Sequence, residues 1–378
     1  MEGKLTVNEL FSGIGAQRKA LERLEIPHEV IGICEIDKYA IQSYEAIFGK
    51  THNYGDICKA PRLEYADLWT YSFPCQDISV AGQLKGISQD TRSGLLYEVQ
   101  RLLEVAKDEG TLPKYLLLEN VKNLVGKKFK SQFDNWLFYL QELGYDTYWQ
   151  VLNAKNYGIP QNRERVFAIS IRKDLNETFE FPKAEELTKR LKDVLEDEVD
   201  EKYYLSQDKA QKFIKTTENL ELPCIGASRG RNPENPSDRT VGAPTEQRLE
   251  INTQGTSNTI TTVQKDNYVV EAKVVELGYY PYPNSDKRHQ SNTVYSSEGL
   301  SPTLDTMQGG NRQPKILSED IRIRKLTPLE CWRLMGFDDE DFYKAQQSGV
   351  SNTQLYKQAG NSIVVNVLEK IFKNLYRK

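Results

Sequence analysis

The chain has 378 residues, 38% apolar and 28% charged, an ordinary profile for a folded protein with room for two or three domains. It holds no run of about 18 apolar residues, and Met1–Val7 carries no apolar stretch of signal-peptide length, so no membrane span is expected and the cytoplasm is the expected location. Five scattered cysteines without a CxxC pair, and three histidines, argue against a disulfide framework or a metal site, while a formal charge of −4 neither suggests nor excludes nucleic acid, because the field of one face decides that.

Leu5–Leu10 is a predicted strand that runs into Phe11-Ser12-Gly13-Ile14-Gly15-Ala16. A helix should follow over Gln17–Leu24, with Ala20, Leu21 and Leu24 on one stripe. Strand, glycine turn and helix open a nucleotide-binding βαβ unit, although FxGxG by itself also fits a plain tight turn. Val30–Cys34 is the next strand and ends in Glu35-Ile36-Asp37. Glu35 lies 20 residues after Gly15, the spacing at which a carboxylate takes ribose hydroxyls. Tyr39–Phe48 reads as a helix, and Asn53–Ile57 places Asp56 at a further expected strand end. Each carboxylate alone would be a solvated loop charge; together with the glycine turn they favour a nucleoside site.

Asp67–Phe73 reads as a short buried strand leading into Pro74-Cys75-Gln76. Pro74 fixes φ and removes an N–H, so a thiol there is displayed on a stiff turn, as a nucleophile must be. The competing reading of a lone cysteine is a small, half-buried hydrophobe. Gln76–Thr91 is polar, contains Gly82 and Gly86, and is long enough for a lid; Arg92-Ser93-Gly94 closes it, and Leu95–Ala106 is a predicted helix. Lys114–Leu118 is an apolar strand ending in Glu119-Asn120-Val121. A carboxyl at a buried strand end is desolvated, which raises its pKa and suits acid catalysis; a surface helix cap is the alternative. A helix over Phe133–Leu143, a strand over Thr147–Leu152, a turn at Tyr157–Pro160 and a strand over Val166–Ile171 should follow. Arg163 and Arg165, two apart, are expected on one face of that last strand, where a lone RxR would be a solvated edge.

The character changes at Phe179. Lys183–Lys202 carries eight acidic and five basic residues and reads as a surface helix or connector. Over 222–318 Gly, Pro, Asn, Ser and Thr dominate, short β-like runs appear, and basic and acidic residues balance at ten each. Ser257–Gln264 echoes Ser301–Gln308, as two hairpin units or by chance. Helix returns at Thr327-Pro328-Leu329-Glu330, with an N-cap, a Pro at N1 and a Glu at N3. Gln358-Ala359-Gly360-Asn361-Ser362 precedes a last helix over Ile363–Leu375, whose start suits an anion or carboxylate.

In this order, FSGIG, EID at Glu35, GDI at Gly55, SFPCQ, ENV at Glu119, QNRER at Gln161, RKLTPLECWRLMGF at Arg324 and QAGNS at Gln358 resemble the motifs of the C5-cytosine-specific DNA methyltransferases of bacterial and phage type. The resemblance covers roughly residues 5–182 and 322–375. It implies an α/β fold, a Rossmann-like S-adenosylmethionine-dependent methyltransferase domain over 1–182 and 336–378. A smaller β-rich DNA-binding domain is implied over 183–335, with target recognition in 222–318. It implies Cys75, Glu119, Arg163 and Arg165 as catalytic: Cys75 adds to cytosine C6, Glu119 protonates or hydrogen-bonds N3, and Arg165 holds O2 beside Arg163. The implied cofactor residues are Phe11, Gly13, Ile14, Gly15, Glu35, Ile36, Asp56, Ile57, Pro74, Leu95, Asn361 and Ser362, for S-adenosylmethionine, leaving S-adenosylhomocysteine, without a metal. The implied DNA contacts are Ser79, Lys85, Arg92, Arg229, Thr303, Gly309 and Gly310, with Lys122 near the cleft. Thr303-Leu304 and Thr259-Ile260 both match the family's short Thr-Leu element. Double-stranded DNA is the implied partner of a monomer that works alongside a restriction endonuclease without a stable complex. A transfer-RNA methyltransferase of the same fold, an inactive DNA-binding regulator and a dinucleotide oxidoreductase are the competing functions; the last leaves PCQ, ENV and QNRER unexplained.

Overall fold

Leu116 and Leu118 pack into one hydrophobic cluster, while Tyr115 and Leu117, alternating with them, pack into another. A strand buried on both faces needs a layer on each side, and the architecture supplies it. In this computed structural model, residues 3–74, 92–204, 224–235, 246–252, 256–260, 268–272, 294–296, 315–317 and 321–376 are described. Six strands form the large sheet: β1 (Leu5–Leu10), β2 (His28–Cys34), β3 (Leu68–Tyr71), β4 (Tyr115–Val121), β5 (Tyr145–Asn153) and β6 (Glu164–Arg172). Their order is β2-β1-β3-β4-β6-β5; the first four are parallel and β6 runs against both neighbours. Helix α1 (Ala16–Arg23) shares its cluster with the last helix of the chain, while α3 (Leu96–Asp108) and α4 (Lys130–Glu142) cover the other face; α2 (Lys38–Phe48) links β2 to the segment before β3. The chain leaves β1 toward β2 and returns to β3 on β1's other side. This reversal is the switch point where open α/β sheets bind ligands, beyond the carboxyl ends of their strands.

A second, antiparallel sheet has the order β12-β9-β7-β8, from β7 (Cys224–Arg231), β8 (Glu246–Asn252), β9 (Tyr268–Ala272) and β12 (Ile321–Lys325); β10 (Val294–Ser296) and β11 (Lys315–Leu317) make a parallel pair. The chain then returns through α5 (Pro328–Leu334), α6 (Asp339–Gln347), α7 (Asn352–Asn361) and α8 (Val365–Tyr376), and α8 packs on α1. No helix among the described residues is long and apolar enough to cross a membrane.

Three expectations change. Residues 53–57 form no strand: Asn53 makes a single bridge to Ile33, and its side chain, not a ladder, takes the N–H groups of Glu35 and Gly55. The charged stretch 183–202 holds no α-helix, only two short 3₁₀ turns over Leu191–Val194 and Glu201–Tyr203. The domain boundary expected at 335/336 falls inside a packed unit: Trp332 of α5 meets Phe337 and Phe342 and donates through Nε1 to the Leu355 carbonyl, so the helical return begins with α5.

The joint between the second sheet and these helices is a buried ion pair. Arg324 of β12 and Glu330 of α5 meet through two 2.9 Å bonds, and both are out of solvent. Glu330 also accepts from the Thr327 and Glu196 N–H groups at 2.8 and 2.9 Å, so its carboxylate caps the helix, pins the connector and neutralises the arginine. Removing one partner of such a pair strands the other's charge. Glu330→Ala is therefore expected to destabilise the protein by about 3–5 kcal/mol, seen as a lower urea midpoint. The double variant Arg324→Met/Glu330→Leu should recover much of that loss.

Candidate active site

The glycine-turn end of the site is built by backbone. Beyond β1 the chain takes left-handed conformations at Phe11, Gly13 and Gly15 (φ 58, 55 and 79°), so the turn curls back toward the end of β2. Glu35 stitches the two strand ends together: Oε2 accepts from Gly13 N–H at 2.9 Å, and Oε1 from the Ile36 and Asp37 N–H groups at 2.8 Å. A carboxylate has about four acceptor positions, and these bonds leave it capacity for a ligand hydroxyl. Asp37 caps α2 and pairs with Lys357 of α7 at 2.6 Å across the rim; that pair and the helix amides hold the Asp37 carboxyl below its ordinary pKa against the opposing effect of burial.

A cavity of about 330 Å³ lies over these strand ends. Phe11, Gly13, Ile14, Glu35, Ile36, Asp56, Ile57, Pro74, Leu95, Asn361 and Ser362 all line it, and Ile36 presents a 74% exposed side chain at its wall. Gly15 does not line it. A Cβ there would stand 2.5 Å from the Phe48 ring and 2.8 Å from the Tyr44 ring, so this glycine serves the packing of α2 against the start of α1. The lining also includes Ser12, whose buried hydroxyl has no hydrogen-bond partner.

Glu119, Arg163 and Arg165 line the same cavity. Glu119 is 7% exposed and lies within β4, which continues to Val121 because it pairs with β6 as far as Arg165. Burial raises the Glu119 pKa; Arg165, then Arg163 and the Ser72 hydroxyl, oppose the rise. Arg165 Nε stands 3.3 Å from Glu119 Oε1. The two arginines then part. Arg163, 4% exposed, turns its guanidinium to three carbonyls: Ile260 at 3.0 Å, Gly360 at 3.1 Å and Ser362 at 2.8 Å. Gln161 works beside it, accepting from Ile260 N–H at 2.9 Å and donating to the Leu334 carbonyl at 2.7 Å. Ser257 pairs with Gln161, and the Thr259 hydroxyl donates to the Asn162 carbonyl at 2.8 Å. The segment 256–260 is thus docked on the Gln161–Arg163 turn.

Cys75, Ser79, Lys85, Thr303, Gly309 and Gly310 lie outside the described residues. Arg92 opens a short 3₁₀ turn, Arg92–Leu95, and Arg229 lies on β7 opposite Arg248. Lys122 is exposed and bonded to Glu164 at 2.9 Å. Sequence reasoning missed Ser12, Lys357 and Asn120, which donates to the Phe73 carbonyl at 3.0 Å and fixes the turn before Pro74. Asn120 was visible as the middle of ENV; Ser12 and Lys357 carried no separate signal. No cluster of three metal-ligating side chains occurs among the described residues.

The family model for C-5 cytosine-specific DNA methylase matches residues 5–377. Orphan methyltransferase M.SPBetaI of Bacillus phage SPbeta is 36% identical, over 98% of this chain and 97% of that protein. Type II methyltransferase M2.ScrFI of Lactococcus lactis subsp. cremoris is 35% identical, over 99% of each. Type II methyltransferase M.HhaI of Haemophilus parahaemolyticus is 32% identical, over 97% of this chain and 93% of that protein. The crystal structure of the S. pombe Dnmt2 methyltransferase shares the fold, with a TM-score of 0.61 and 20% identity over 99% of both chains.

Beneath the glycine turn lies a second buried carboxyl. Glu9 of β1 accepts from Arg18 N–H at 2.9 Å and from the Tyr44 hydroxyl at 2.7 Å. Burial, partly offset by Tyr44 and Arg18, pushes its pKa up from 4.5 to about 7. The folded state therefore keeps a proton that the unfolded chain releases. The stability this contributes is full below pH 4.5 and is lost as pH rises through about 7. Glu9→Gln, which keeps a neutral side chain, should gain on wild type by on the order of 2–3 kcal/mol between pH 5 and 8. Urea unfolding at the two pH values measures this; a difference that does not change with pH would mean that Glu9 stays ionised.

Proposed function

The chain belongs to the C-5 cytosine-specific DNA methylases, and from that membership we propose that it transfers a methyl group from S-adenosylmethionine to C5 of a cytosine within a specific duplex DNA sequence. The observation that carries this reading is a single cavity with a nucleoside-type end, Phe11 to Glu35, and a buried acid, Glu119, paired with Arg165 at the other. The residues fit the cofactor: Glu35 retains acceptor capacity for ribose hydroxyls, Phe11 and Ile36 offer apolar surface to adenine with Asp56 for its amine, and the unpartnered Ser12 hydroxyl needs a polar group. Asn361 and Ser362 lie at the methionine end in this reading. The bound cofactor supplies the electrophilic methyl group.

The chain's own residues do the rest. C5 of cytosine is too weak a nucleophile unless the ring is first converted to an enamine. Cys75, the residue after Pro74, adds as thiolate to C6. Glu119, whose proton affinity is raised by burial, protonates or hydrogen-bonds N3 and draws off the charge that this addition places on the ring. Arg165 holds O2 and Arg163 braces the site from behind. Once C5 carries the methyl group, water takes the C5 proton and the Cys75–C6 bond breaks, which returns the thiolate. Since stacking shields C6, the base must be flipped from the duplex.

The second sheet and the segment 222–318 read the target in this proposal, with Arg229 and the Asn and Thr side chains at base edges and Ser79, Lys85 and Arg92 on phosphates. The docking of Thr259-Ile260 on Gln161 and Arg163 favours it over Thr303-Leu304 as the Thr-Leu element. The protein would act as a monomer in the cytoplasm of a bacterial or phage-infected cell and protect DNA from an endonuclease with which it forms no stable complex.

Transfer of tritiated methyl groups to duplex DNA, with bisulfite sequencing to locate the product, tests the reading; methylation of RNA alone would overturn it. Cys75→Ala should abolish transfer and keep duplex binding. Glu119→Gln should slow turnover by at least about 10²-fold with cofactor affinity unchanged. Thr259→Ala should weaken the choice of DNA sequence more than Thr303→Ala does, scored as the ratio of specific to random duplex methylation.

A further inference from the structure

β3 and β4 pair in parallel from Leu68–Tyr115 to Tyr71–Leu118. One step on, the same register sets Ser72 beside Glu119 and Phe73 beside Asn120. Asn120 secures that step, since its side chain holds the Phe73 carbonyl. Ser72 therefore leaves the sheet level with Glu119, three residues before Cys75 in the sequence. It lines the same cavity as Glu119 and Arg165. Its hydroxyl is buried and makes no well-formed hydrogen bond here, yet it lies close enough to the Glu119 carboxyl to favour the ionised form. A buried hydroxyl without a partner is costly, so it is kept where some state of the site uses it.

Building on the methyltransferase reading, we infer that Ser72 is a positioning residue for Glu119, holding its carboxyl in both protonation states. The reason is chemical. Among the described residues, the charged groups that act on Glu119 are Arg165 of β6 and Arg163 ahead of β6. A guanidinium only donates, so both favour the carboxylate. An acid that gives and regains a proton in every turnover also needs a neighbour that serves the protonated form. A serine hydroxyl does both: it donates to the carboxylate, the stronger bond because the acceptor is charged, and, rotated, accepts more weakly from the carboxylic acid. Ser72 is the hydroxyl that the sheet register places there, and a side chain on that stiff turn changes position little between the two states.

Two readouts test this in the full chain with Ser72→Ala and Ser72→Thr. The first is the ¹³C titration of the Glu119 carboxyl in selectively labelled protein without DNA, assigned by its loss in Glu119→Gln. Ser72→Ala should raise the midpoint by about one pH unit, the scale of a hydrogen bond to an ionised group. Ser72→Thr, which keeps the hydroxyl, should restore it. The second is the pH profile of single-turnover methyl transfer, whose alkaline limb should move up with the same pattern while affinity for S-adenosylhomocysteine stays unchanged. A titration unaltered in Ser72→Ala, or shifted equally in both variants, would overturn the inference. The titration needs no catalysis: a wild-type protein without methyl transfer would sink the function proposed above, while the coupling of Ser72 to Glu119 would still be decided by the carboxyl's midpoint.

Discussion

A guanidinium withdrawn from water must be met by acceptors, and Arg163 meets this demand with carbonyls from distant parts of the chain. Ile260 belongs to the segment between the strands of the second sheet, and Gly360 and Ser362 close α7. One side chain at the start of β6 thus holds the 256–260 segment, the end of α7 and β6 in a single frame. Gln161 repeats the arrangement with Ile260 and Leu334. The cost of burying these groups unpaired is what keeps the frame closed. Arg165, two residues on, is left to face Glu119, so the different settings of the two arginines follow from where acceptors are available.

The cavity brings two chemistries together because of strand order. At the switch point between β1 and β3 the helices diverge, and the carboxyl ends of β1, β2, β3 and β4 open into one space. A carboxylate partly satisfied by N–H groups, with an acceptor position left over, as at Glu35, suits a neutral hydroxyl-bearing ligand. Glu119, buried with only partial compensation, suits proton transfer. Burial and the partners each carboxylate finds set these roles apart.

The Glu330–Arg324 pair is the mechanical counterpart of Arg163. It joins β12 to the helical return that carries α7 and α8 back to the first sheet. Both this ion pair and the Arg163 cluster connect to α7, the first through the bond from Trp332 to Leu355 and the second at Gly360.

Much of this was legible in the residues themselves. The strand–glycine turn–helix opening, the apolar strand before Glu119, the Thr327–Glu330 cap and the final amphipathic helix rest on periods and caps a few residues long. The order of the motifs placed the chain in its family. What the sequence could not express were contacts across long separations. Arg163 reaches partners 97 to 199 residues away, and no local pattern distinguishes it from Arg165. Gly15 looked like a ligand-binding glycine, but its conformation and the Tyr44 and Phe48 rings give it a packing role. Asn53–Ile57 looked like a strand, but side-chain bonds from Asn53 replaced the ladder. The place of Ser72 beside Glu119 depends on the β3–β4 register. Local propensity determined the elements; the burial of charge and hydroxyl, which depends on what the whole chain folds around them, decided which of their side chains meet.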